Sequence, residues 1–107
     1  MTTEIIEQKF KEIEENMLRS ATIANRIQEI FVLQVACLNL NNGDVDYVAN
    51  ASGSANDLLN ALKNATRTVV EGLLEEREIE VALNNITEAV ADGIREGISE
   101  HAKEEAE

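Results

Sequence analysis

The most apolar stretch of this chain runs from Ile30 to Leu40 and is followed by Asn41-Asn42-Gly43-Asp44. That second segment is the clearest turn signal in the sequence. A glycine suits the left-handed position that ends many helices, and asparagine tolerates the same bend. We therefore predict that the stretch is the buried tip of a helical hairpin, with its turn over residues 41–46.

An apolar repeat leads into this stretch. From Ile6 to Leu38, apolar residues alternate at spacings of four and three, with two polar exceptions. This is the heptad spacing that places one apolar stripe along a helix. Thr2 or Thr3 can cap the helix at its start. The pattern predicts a first helix over about residues 3–42.

The second half of the chain repeats the alternation from Leu58 to Gly97, with Glu76 as its one exception. No proline or turn dipeptide interrupts it, which favours one helix over about residues 54–102. Several glutamates crowd residues 75–80, so a break there is the alternative. It would give a monomeric three-helix bundle.

The segment between the two repeats contains a second bend signal. Ser52-Gly53-Ser54 is a point where the chain can bend, and Ser54 followed by Asp57 resembles a capping box. Val45–Ala51 is expected to form a short helix or the first turns of the second one.

The two apolar repeats predict an all-α fold for a single domain spanning 1–107. The helical hairpin would complete a helical bundle by self-association, because a helix that is apolar nearly all round needs cover on several faces. Small residues at Ala89, Gly93 and Gly97 share one ridge, where two backbones can approach closely. The predicted helix–helix interface comprises Phe10, Ile13, Met17, Ile27, Phe31, Leu33, Leu38, Leu62, Val69, Ile79, Leu83, Ile86, Val90, Gly93 and Gly97.

The net charge limits the classes of partner that this chain can bind. The net charge of −12 comes from 21 acidic residues against 9 basic ones. Nucleic acids and anionic membranes require clusters of Lys and Arg, which this chain lacks. The apolar stretch is also too short for a membrane span. We predict no nucleic-acid partner and no membrane span.

No catalytic or metal-binding motif stands out. His101 is the sole histidine and is expected to be solvated, while Cys37 is the sole cysteine and is expected to be buried and inert. The two lie far apart in sequence, and no glycine-rich phosphate loop is present. We predict a protein that is not an enzyme and carries no cofactor or metal. One cysteine and no secretory leader favour the cytoplasm, with leaderless export as the alternative.

Size, acidity and a hairpin around Gly43 resemble the small helical-hairpin proteins of the WXG100 secretion class. Asn41-Asn42-Gly43 stands where that class has Trp-x-Gly, so the resemblance concerns topology and assigns no residue a role. Small acidic dimeric type III secretion chaperones share the composition, but that class is usually mixed α/β.

The predicted function is a non-enzymatic structural or protein-interaction module. It would self-assemble through helix packing, as a dimeric four-helix bundle or a filament-like repeat. The alternative is a small acidic adaptor or secretion-associated chaperone that binds a helical protein partner.

Overall fold

The computed structural model of the chain describes residues 1–40 and 45–106. Three helices and two strands follow one another in a mixed α/β arrangement. The strands pair antiparallel, from Val32 opposite Ser52 to Asn39 opposite Val45. The elements are α1 (Thr3–Asn25), β1 (Val32–Asn39), β2 (Val45–Ser52), α2 (Ala55–Leu74) and α3 (Ile79–Ala106).

The all-α prediction is therefore wrong, both as a helical hairpin and as a three-helix bundle. The predicted helix over 3–42 ends at Asn25, and the apolar stretch from Ile30 to Leu40 contains strand β1. Val45–Ala51, expected to be helical, lies in β2. The topological resemblance to the WXG100 class falls with the helical hairpin. The predicted turn residues 41–44 lie outside the described residues.

Helix α1 begins as the sequence predicts. The Thr2 hydroxyl accepts a hydrogen bond from the Ile5 backbone N–H at 3.3 Å, which confirms one of the two predicted N-caps. At the other end, the Arg26 N–H donates to the Ile23 carbonyl at 3.1 Å. The chain then leaves the helical path, because Val-rich β1 finds its hydrogen bonds in β2 instead.

One face of the hairpin packs against α1. Met17 and Ala24 of α1 are buried, and the strand side chains that turn toward the helix are half-buried, apart from the exposed Asp46. Burial alternates along β1 with a period of two, as expected when only one face of a sheet is covered. Gln34 ties the layers together by donating to the Met17 carbonyl.

The passage from β2 to α2 also follows the sequence. Gly53 has a φ of 133°, a backbone conformation that suits glycine, and the predicted bend lies there. The Asp57 N–H donates to the Ser54 hydroxyl, and the Ser54 N–H donates to the Asp57 carboxylate, both at 3.2 Å. The predicted capping box is confirmed.

The single helix over 54–102 is wrong. Helix α2 ends at Leu74 and α3 begins at Ile79, within the segment where the sequence allowed a break. The Arg77 N–H closes α2 onto the Leu73 carbonyl at 2.9 Å, and its guanidinium donates to the Asn85 side chain at 2.7 Å.

The chain divides into two compact units, Met1–Asn64 and Ala65–Glu107, with the boundary inside α2. The first contains α1, the hairpin and the first half of α2, and the second contains the other half of α2 and all of α3. That the chain is one domain stays a prediction.

Candidate interaction face

The hairpin has a second face, which α1 does not cover. Its side chains come from every other residue of each strand, and none of them is charged. Val35, Val45 and Tyr47 are 61%, 57% and 70% exposed. We call this surface the open face, and it consists of Leu33, Val35, Cys37, Asn39, Val45, Tyr47, Ala49 and Ala51.

The covered face is the more polar of the two. Alongside four apolar residues, it carries Gln34, Asp46, Asn50 and Ser52. A hairpin with one buried and one solvated face normally turns its apolar side inward and its polar side to water. Here half of the covered face is apolar as well, but the open face is the more apolar of the two. The open face is thus built for contact with another apolar surface.

Two polar side chains of the covered face bond each other, whereas the buried Ser52 hydroxyl has no hydrogen-bond partner among the described residues. Gln34 and Asn50 are opposite one another in the register, and the Gln34 amide donates to the Asn50 side-chain oxygen at 2.8 Å. The same amide donates to the Met17 carbonyl at 3.1 Å. This arrangement fixes which face of the hairpin meets α1, and so which face stays open.

The core of the chain is small. Among the described residues, only Met17, Ala24 and Ala82 are buried apolar side chains. The accessible surface is 8851 Å², whereas a compact protein of this mass exposes about 5900 Å². Two separate compact proteins with the lengths of the two units would together expose roughly 7000 Å².

The predicted interface residues lie on several different elements of the structure. Met17 is buried and Phe10 half-buried on α1, whereas Ile13 is exposed. A helical seam through Ile27, Phe31, Leu33 and Leu38 is wrong, since two lie in the connection after α1 and two in β1. The remaining helical residues keep their predicted interface role as a prediction: Leu62 and Val69 on α2, and Ile79, Leu83, Ile86, Val90, Gly93 and Gly97 on α3.

Sequence reasoning missed Val35, Val45 and Tyr47 as a joint surface. The signal for it was present, because apolar residues alternate in Val45-Asp46-Tyr47-Val48 and an Asn-Gly pair precedes them. The prediction that Cys37 is buried is also wrong. As a strand residue it turns outward, and its thiol is exposed on the open face opposite Tyr47.

Charged side chains do not converge on a reactive centre in the part of the chain that the structure describes. No three His, Cys, Asp or Glu residues there are placed to hold a metal ion. His101 is exposed, as predicted, and its Nε2 lies 3.1 Å from a Glu105 carboxylate oxygen one helical turn away. Within residues 1–40 and 45–106, no helix is long and apolar enough to cross a membrane.

Comparisons with known proteins add no relative. No family model, curated protein or solved structure matches this chain significantly.

Proposed function

We propose that this protein is a non-enzymatic interaction module that self-associates by covering its open face. The observation that carries the proposal is the apolar character of the exposed face of the hairpin. Seven of its eight side chains are apolar and the eighth is Asn39, whereas four of the eight side chains on the covered face are polar. An exposed apolar surface of this kind marks a protein contact.

The net charge favours a second copy of this chain as the molecule that covers the open face. The chain carries −12, so two copies repel one another wherever their acidic surfaces approach. The open face has no charged residue, and copies can meet there without a like-charge penalty. A basic partner would instead be met through acidic side chains, which this face lacks.

Surface area points the same way. The chain exposes more than 1500 Å² beyond what two compact units would, by roughly the area rule for globular proteins. Obligate dimers bury roughly 2000–5000 Å² in total, to which each copy contributes half. A dimer would therefore bring the surface of this chain into the ordinary range. We place this module in the reducing cytoplasm, where an exposed Cys37 stays a thiol.

The oligomeric state tests the proposal. By light scattering or sedimentation, wild type should be a dimer or larger, and Val35→Asp should be monomeric because it places a charge on the open face. Val81→Asp is the matched control, since Val81 is 48% exposed on α3 outside every predicted contact. It should assemble as wild type does. A wild-type monomer up to millimolar concentration, or assembly by Val35→Asp, would refute the proposal.

A second candidate is an adaptor that binds a partner's helix. Part of the second unit favours it, because a groove between α2 and α3 is lined by Thr66, Ile86, Thr87, Val90, Ala91 and Ile94. Apolar grooves of this kind accept amphipathic helices. Small acidic secretion chaperones are usually mixed α/β, so the mixed α/β fold of this chain no longer argues against that class. Ile94→Asp should then abolish partner binding while leaving self-association intact.

A further inference from the structure

The hairpin has an unpaired edge as well as an open face. In the described residues the sheet has two strands, so from Val32 to Leu38 the chain has β2 on one side only. In an antiparallel pair, alternate residues direct both N–H and C=O away from the partner. About half of these β1 backbone groups therefore point to the outer edge.

This edge lacks the features that prevent strands from pairing with other chains. Natural edge strands carry charged residues, prolines or bulges for that purpose. Strand β1 has no charged residue, proline or glycine, and its register with β2 runs without a bulge. Strand β2 does carry a charge, at Asp46. In a chain with 21 acidic residues, eight uncharged residues along one edge single out β1 as the edge that pairs.

The widths of the sheet and of the helix that covers it allow a second copy to lie beside the first, strand next to strand. Two strands about 4.8 Å apart support a sheet about 10 Å wide, which is the diameter of the one helix that covers it. An isolated two-stranded sheet is marginally stable, and three or more strands are usual. Two copies side by side would form a four-stranded sheet beneath two copies of α1, which is a complete two-layer arrangement.

We propose that the β1 strands of two copies pair antiparallel, edge to edge, with Val35 opposite Val35 of the second copy. This rests on the proposed function, because the occupant is again a second copy. Leu33 then lies opposite Cys37, Val32 opposite Leu38 and Gln34 opposite Ala36. Both open faces stay on one side of the joined sheet, where a second pair of copies covers them. A shift by one pair in one direction would set Gln34 against Leu38 and Leu33 against Asn39, which matches polar with apolar residues. A shift in the other direction would set Gln34 against Gln34 but would pair only residues 32–36 of the strand, instead of 32–38.

Disulfide formation tests this register. Residues opposite one another on antiparallel strands have Cα atoms about 4.5–5.5 Å apart, within the disulfide range. Leu33→Cys, which keeps Cys37, should therefore shift to a doubled mass on a non-reducing gel after mild oxidation. Wild type and Leu33→Cys/Cys37→Ser are the controls. Each has one cysteine, which would lie roughly 14 Å from its copy at the strand rise per residue, so neither should cross-link.

Amide hydrogen exchange gives a second readout on the wild-type protein. Every β1 amide from Val32 to Leu38 should be protected in the assembly. In monomeric Val35→Asp, alternate amides of β1 should exchange rapidly. Edge pairing is overturned if the two-cysteine variant cross-links no better than its controls, or if alternate β1 amides exchange rapidly in an assembled protein. Either result leaves self-association standing, whereas a monomeric wild type removes both proposals.

Discussion

Gly53 shows at the scale of one residue how closely β2 and α2 are joined. Its φ of 133° is strained for other residues, and an added Cβ would lie 2.8 Å from the Phe31 Cβ and 3.0 Å from the Asp57 Cβ. Gly53→Ala should therefore lower the free energy of unfolding by about 1–3 kcal/mol in urea denaturation at fixed protein concentration. At Gly72, in α2, a Cβ meets nothing within 4 Å. Gly72→Ala should raise it by up to about 1 kcal/mol, and equal effects at both sites would contradict this account.

Gln34 sets the orientation of the hairpin through one amide group. Its two N–H groups satisfy the Asn50 side chain and the Met17 carbonyl, and both bonds are partly buried. Gln34→Leu leaves these acceptors without donors, so the free energy of unfolding should fall by about 1–3 kcal/mol. In a double-mutant cycle with Asn50→Ala, the two losses should not add, because the residues share one bond. Strict additivity would show that the bond contributes nothing.

At the scale of elements, the sequence predicts local features correctly and the long-range pairing of the strands incorrectly. The Thr2 cap, the bend at Gly53 and the Ser54–Asp57 capping box depend on neighbours within three residues. The structure of β1 depends on β2, whose paired residues lie 6 to 20 positions along the chain. A four–three apolar spacing within β1 cannot show whether such a partner exists.

The turn signal was equally ambiguous. Asn-Gly ends helices, and it also joins hairpin strands when apolar runs flank it on both sides. The apolar run before it fits the end of a heptad repeat as well as a strand, so the sequence favours a helix end where apolar residues also flank the pair on the other side. The open face was harder still to predict, because polar Gln34 and Asn50 face α1, against the usual rule for a half-buried sheet.

Helix α3 carries the predicted ridge of small residues, formed by Ala89, Gly93 and Gly97. A Cβ added at Gly93 or Gly97 would meet nothing within 4 Å, so the predicted close approach does not occur within the part of the chain that the structure describes. If the ridge contacts another copy, Gly93→Leu and Gly97→Leu should weaken association in sedimentation equilibrium, because the added side chains hold the helices apart. Gly72→Leu is the matched control on α2 and should leave association unchanged. If all three variants associate equally strongly, the ridge is not a contact between copies.

At the scale of the whole molecule, folding and association are expected to be one process. Three buried apolar side chains among the described residues provide little apolar burial against the entropy of ordering the chain. The missing burial lies on surfaces that other copies would cover, chiefly the open face and the exposed apolar residues of the helices. Stability is then inseparable from protein concentration, as in obligate dimers.

Net charge makes the salt dependence of association informative. Two copies at −12 each repel at long range, while the contact we propose is uncharged. Raising NaCl from about 50 to about 500 mM shortens the screening length from more than 10 Å to less than 5 Å. The dimer dissociation constant from sedimentation should therefore fall as salt rises. Ion pairs across the interface would weaken with salt instead, so a dissociation constant that rises with NaCl would show that charged residues, and not the open face, hold the copies together.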